Sequence, residues 1–287
     1  MRRRTARAVG AVPTTRGAAV LLVLTSLVGA AAFTWPLFVG PPSSGDVDLA
    51  HLGDAPWIFV VLVPLLLGVV AAELAEGGMD SRAVALLGVL AACGSALRLA
   101  GAGVTGFEAV FFLLIPAGRV LGRAFGFVLG AVTLLASALL TGGVGPWLPF
   151  QMLAAAWIGL GAACLPVARG RREVALLAGY GVVAGLAYGV VLDLWFWPFT
   201  LDDGSALAYS AGAPLATNLS RFWAFHLSTS LGWDLPRAAT NAVLMVVAGP
   251  AVLAALRRAE RRASFGAVVS FATAGGGGAP AADLPDR

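Results

Sequence analysis

The chain has 287 residues, of which 59 % are hydrophobic and only 12 % charged, with a formal net charge of +4. A soluble domain carries about 25 % charged residues, so this composition excludes an ordinary water-soluble enzyme, a disordered chain and a nucleic-acid binder, despite a sequence pI near 9.8. With a mean hydropathy of +0.87, the chain reads as a polytopic membrane protein whose basic excess is a topology signal.

Residues 1–16 form a basic segment holding Arg2, Arg3, Arg4, Arg7 and Arg16. The first apolar block, 17–39, offers small residues at Ala30, Ala31 and Ala32 but runs on past Trp35. It is longer than a signal-peptide core and is expected to be a retained helix. Residues 40–56 read as a polar, acidic, turn-rich loop, and 57–75 as a second block, so that 17–78 forms an N-terminal transmembrane helix pair.

Six further blocks fall within 79–260: 83–101, 107–118, 124–141, 149–168, 174–197 and 238–256. Most blocks match a hydrocarbon core about 30 Å thick at about 1.5 Å rise per residue. The fourth, 107–118, is short and reads as either a tilted span or a re-entrant segment. Within the long loop 198–237, Leu219, Phe222, Trp223, Leu227 and Leu231 recur at helical spacing. They predict an amphipathic helix lying in the interface or capping the bundle. The end, 261–287, contains Gly275–Gly278 and is expected to be a disordered cytoplasmic tail.

Arginine placement tests this count. All 19 basic residues are arginine. With eight spans and the N-terminus in the cytoplasm, only Arg98, Arg221 and Arg237 fall outside, against 16 inside. The expected architecture is therefore an all-α polytopic bundle of about 8 spans in the plasma membrane, both termini cytoplasmic.

No catalytic signature is present. There is no HExxH, GxSxG or Walker motif, hence no ATP site within the chain. Cys93 and Cys164 lie inside apolar blocks, and His51 and His226 are too few for a His-rich metal site. The chain is read as a non-enzyme, with no cofactor and no metal.

Polar groups near the membrane are costly and mark candidate function. Arg98 and Glu108 flank the outer turn between blocks three and four, where they are expected to pair, either structurally or around a ligand. Asp193 lies beside Trp195 and Trp197; an aromatic belt explains the tryptophans but not the carboxylate. In Gly142-Gly143-Val144-Gly145-Pro146-Trp147-Leu148-Pro149-Phe150-Gln151-Met152, a Gly/Pro turn leads straight into block six. Trp147 offers a flat surface and Gln151 both a donor and an acceptor, a pairing suited to a planar or amide-bearing ligand. The alternative is a rigid hairpin with an interfacial tryptophan. Gly88, Ala92 and Ala96 share one helix face, where small residues admit a neighbouring helix, in this bundle or from another subunit.

The stretch Gly118-Arg119-Val120-Leu121-Gly122-Arg123-Ala124-Phe125-Gly126-Phe127-Val128-Leu129-Gly130, then Ser137 and the GGVGPWLPFQM turn, resembles the substrate-binding membrane (S) component of energy-coupling-factor transporters, actinobacterial type. The resemblance covers roughly 80–260. It implies a six-helix core with cytoplasmic termini, to which 17–78 would be an addition. It also implies a vitamin-like substrate, with cobalamin the best single guess. The outer cavity would involve Arg98, Glu108, Trp147, Gln151, Asp193, Trp195 and Trp197 and be closed by loops 101–106, 142–148 and 198–237. The partners would be a transmembrane coupling subunit, docked on Gly88, Ala92 and Ala96, and two ABC ATPases.

Three other readings stand beside this one. A secondary transporter or channel would show inverted repeats or broken helices. A membrane enzyme would need carboxylates, histidines or arginines converging at one depth. A scaffold would be a sealed bundle.

Overall fold

The computed structural model describes residues 14–34, 37, 47–76, 79, 81–101, 108–201, 205–210 and 212–264. Among the described residues every regular element is helical: α1 is Arg16–Thr34, α2 Val47–Ala75, α3 Ser81–Ala100, α4 Val110–Leu121, α5 Arg123–Thr141, α6 Leu148–Cys164, α7 Arg171–Phe196, α8 Leu215–Thr229, α9 Leu231–Val247 and α10 Gly249–Ser264. Four of these (α1, α3, α5 and α7) are long and apolar enough to cross a membrane, and a fifth if the bent pair α9–α10 is one span. Val60–Ala75, α4 and α6 are shorter apolar helices.

Two boundaries differ from the sequence reading. The expected loop 40–56 is helical from Val47 onward. The expected eighth span, 238–256, is broken: α9 and α10 meet at 67° around Ala248. Gly249 and Pro250 follow at once, and Pro250 has no N–H to continue the helical ladder. The expected segments over 1–13, 40–46, 102–107 and 265–287 lie outside the described residues.

The short fourth block is the centre of the molecule. Every residue of α4 except Arg119 is buried, and α3, α5, α6, α7, α9 and α10 all touch it. A helix that is apolar all round faces either lipid or protein, and about 12 residues suffice when its neighbours enclose it. Gly122, at φ 100, turns the chain from α4 into α5. At Gly142, φ 68, the chain leaves α5 toward the turn, and Gly143 N–H donates to Ala138 O at 2.9 Å.

The glycine-rich stretch Gly118–Gly130 has a packing role. A methyl group on Gly118 or Gly126 would strike the backbone of Gly159, and one on Gly130 the backbone of Ala155. Backbones of α4 and α5 thus lie directly against α6, the close approach that small residues permit between apolar helices.

The N-terminal pair is part of this bundle. Thr15 N–H donates to Glu73 at 3.0 Å, and Arg16 and Gly17 N–H donate to Glu76 at 3.1 and 2.9 Å. Two carboxylates from the end of α2 thus satisfy backbone donors around the start of α1. Further along, Trp157 Nε1 on α6 donates to Ser26 Oγ at 3.1 Å, and Phe33 meets Phe150 at 5.1 Å between ring centroids.

Contacts between helix ends show that α3 to α7 alternate in direction. Arg98 near the end of α3 reaches Ser137 near the end of α5 and Gln151 near the start of α6. Arg119 near the end of α4 reaches Leu165, just past α6, and Glu173 near the start of α7. The bundle therefore has two ends: a carboxylate end, where Glu108, Asp193 and Asp234 gather, and an arginine end, where arginines such as Arg119, Arg171, Arg257 and Arg258 outnumber the carboxylates.

Candidate functional site

At the carboxylate end, α7 and α9 pack through a glycine face. A methyl group on Gly181 would meet Asn241, one on Gly185 the backbone of Ala238, and one on Gly189 the carboxylate of Asp234. Glycines every fourth residue on α7 thereby let polar residues of α9 reach a plane between the helices.

A row of ionisable side chains follows from this packing. Glu108, just before α4, pairs with Arg237 Nε. Arg237 Nη1 reaches Asp234 Oδ1 at 2.5 Å and donates to Gly185 O at 3.3 Å, while its guanidinium lies 5.1 Å from the Tyr188 ring centroid. His226 on α8 lies between two carboxylates, with Nδ1 2.7 Å from Asp193 Oδ2 and Nε2 3.6 Å from Asp234 Oδ2. Ser230 Oγ donates to Asp193 at 2.5 Å. Asp234 and Arg237 are buried, and the Asp193 side chain retains 15 % exposure. Among the described residues, Asp234 Oδ2 and both polar atoms of the buried Asn241 have no hydrogen-bond partner, so unused hydrogen-bonding capacity remains here.

Arg98 and Glu108 do not pair with each other. Arg98 Nη1 donates to Ser137 Oγ at 3.2 Å and Nη2 to Gln151 Oε1 at 3.1 Å, while Glu108 takes Arg237, 129 residues away. Sequence proximity across one turn was a weaker guide than the tertiary neighbourhood. Gln151 is in the first turn of α6 as expected, with its amide oxygen held by Arg98.

The three tryptophans occupy different environments. Trp147 is half exposed, with Nε1 donating to Gly143 O at 3.2 Å, which closes the Gly/Pro turn on itself. Trp195 is buried in the main core, 5.1 Å from Phe150. Trp197 is buried in a separate aromatic cluster with Tyr209 and Phe222 and donates to Leu207 O at 2.7 Å. The last bond fastens the long loop to the end of α7. Asn218 holds the same loop to α8 through Ser210, accepting from its N–H and donating to its carbonyl at 3.0 and 2.9 Å. Burial pushes the Tyr209 phenol above its usual range.

The amphipathic helix forms as α8, but with a different buried face. Asn218, Phe222, Phe225 and His226 turn inward, while Leu219, Trp223 and Leu227 stay exposed. The inward side is chosen by the polar partners that Asn218 and His226 need, leaving an apolar stripe outward. Gly88, Ala92 and Ala96 lie on the exposed face of α3, with no atom within 4 Å of a methyl group on Gly88.

Sequence reading missed His226, Asp234 and Arg237 as one group, and missed the Gly181, Gly185, Gly189 stripe. The four-residue glycine period was the available signal for the stripe. Among the described residues, no cluster of histidine, cysteine, aspartate and glutamate is placed to hold a metal ion. Cys93 and Cys164 are free and exposed. The His226 nitrogens face carboxylates and the Ser230 hydroxyl faces Asp193, so imidazole and hydroxyl are not joined as base and nucleophile.

Comparison with protein-family models, curated proteins and solved structures found no match.

Proposed function

We propose that the chain is the substrate-capture membrane subunit of an energy-coupling-factor importer, binding a vitamin or related micronutrient. In this reading it is a multi-pass plasma-membrane protein, its carboxylate end faces outward and its arginine end, with both termini, faces the cytoplasm. The observation that carries the reading is the convergence of Glu108, Asp193, His226, Asp234 and Arg237 at one end of an apolar bundle, beside Arg98 and Gln151. Ionisable groups among apolar helices are costly and mark ligand sites. The polar atoms of the buried Asn241, without a hydrogen-bond partner among the described residues, support the same role. The exposed small-residue face of α3 supports docking of a coupling subunit that brings two ATPases.

The subunit performs no chemistry on its substrate: it captures the molecule and hands it to the coupled complex. The test is native mass spectrometry of the full chain in detergent with a vitamin panel that includes cobalamin. One bound molecule of defined mass is expected; a folded protein that retains none of the panel overturns the vitamin assignment.

A second reading is favoured by the row Asp193, His226, Asp234, since titratable side chains in line also serve proton-coupled secondary transporters. Proteoliposomes containing this chain alone separate the two. Gradient-driven uptake would support the second reading, and binding without uptake the first.

A further inference from the structure

The arginine end holds a second arrangement that the capture reading does not use. Glu173 is 2 % exposed and accepts from Arg257 Nη2 at 2.7 Å through both its oxygens and from Arg119 Nε at 3.2 Å. Arg119 also donates to the carbonyls of Leu165 and Pro166 at 2.8 and 2.9 Å. These bonds tie together the ends of α4 and α6, the start of α7, and α10.

A groove of about 920 Å³ opens beside them, between the start of α7 and α10. One wall is apolar, with Val174, Val246 and Leu253; the rim carries Arg171, Arg258 and Arg261. Glu173 is the acidic residue lining it, and it is already shared by two guanidiniums. Among the described residues, Arg171 and Arg258 form no ion pair, and all three rim arginines are exposed. The bend between α9 and α10 sets an arginine-rich amphipathic helix across the end of an apolar one.

An apolar wall under three exposed guanidiniums, of which Arg261 has the Glu260 carboxylate nearby, matches an amphiphile with an anionic head. We propose that this groove binds one anionic phospholipid. Its phosphate lies against Arg171, Arg258 and Arg261, and an acyl chain follows Val174, Val246 and Leu253. Guanidinium forks suit phosphate oxygens, and basic pockets between helices at the cytoplasmic face recognise such heads. A soluble anion has no use for the apolar wall, which decides for the lipid. This inference needs only the membrane reading and stands apart from what is captured at the other end.

The test is a lipid titration of the delipidated full chain in detergent, followed by native mass spectrometry. Phosphatidylglycerol and phosphatidylcholine with the same acyl chains are compared. One equivalent of phosphatidylglycerol is expected to bind at least about tenfold more tightly than phosphatidylcholine. The triple variant Arg171→Gln, Arg258→Gln, Arg261→Gln should lose that preference, while the charge-matched control Arg2→Gln, Arg3→Gln, Arg4→Gln keeps it. Equal binding of the two lipids by the unaltered chain overturns the proposal whether or not the variants fold. So does equal loss in both triples, which marks non-specific attraction. Displacement of the lipid by millimolar inorganic phosphate identifies a free-anion site, and displacement by an acidic peptide identifies a protein-docking surface; either also overturns it.

Discussion

Gly189 and Asp234 are packed so closely that a methyl group on Gly189 would collide with both oxygens of the Asp234 carboxylate. Gly189→Ala should therefore displace Asp234 and cost about 1–3 kcal/mol, the range for forced overpacking. Thermal unfolding in detergent measures it. Gly88→Ala is the control: nothing lies within 4 Å of the added methyl, and helix propensity predicts no loss and a gain of up to about 1 kcal/mol.

Arg237 is the cation that Glu108 and Asp234 share. Arg237→Gln should destabilise the protein by about 3–5 kcal/mol by leaving buried carboxylate without a counter-charge. Arg237→Lys should recover only part, because one ammonium cannot present the guanidinium fork to Glu108, Asp234 and the Gly185 carbonyl together. Equal stability of Arg237→Lys and the unaltered chain would remove the fork geometry from the account.

Binding and assembly should separate by mutation. Gly88→Leu, Ala92→Leu and Ala96→Leu alter an exposed face of α3 and should abolish co-purification with a coupling subunit while leaving ligand affinity unchanged. Loss of ligand binding with assembly preserved would sink the docking role.

Gln151→Ala removes the acceptor that holds Arg98, and Asp193→Ala the acceptor shared by His226 and Ser230. Each should weaken ligand binding about tenfold or more, read by titration of the bound species. Unchanged affinity in both would remove them from the site.

The N-terminal pair should couple energetically to the core. Trp157→Phe deletes the bond to Ser26 Oγ and should cost about 1 kcal/mol, as should Ser26→Ala. The double variant should cost less than the sum, since both remove the same bond. Additive losses would show that α1 is not held through this contact.

Composition and periodicity determined much of this protein. Seven of the eight apolar blocks in the sequence each fall on one helix, the eighth straddles the bend between α9 and α10, and the asymmetric arginines correspond to one end of the bundle, with Arg119, Arg171, Arg257 and Arg258 gathered there. These features are local or additive, so chain order alone displays them. Gln151 at the start of α6 and the amphipathic period of α8 were legible for the same reason.

Pairing was decided by the tertiary structure. Arg98 and Glu108 are neighbours across a short turn, yet each finds its partner on another helix, because a buried charge takes the partner that packing brings within reach. The inward face of α8 was likewise set by Asn218 and His226, whose hydrogen bonds must be met inside, and not by the leucines that advertise the helix. The glycine face of α7 that carries Asp234 and Asn241 inward joins residues more than 40 positions apart. One sequence shows a glycine period but not what lies opposite it, and that opposition gathers scattered ionisable residues into one cluster.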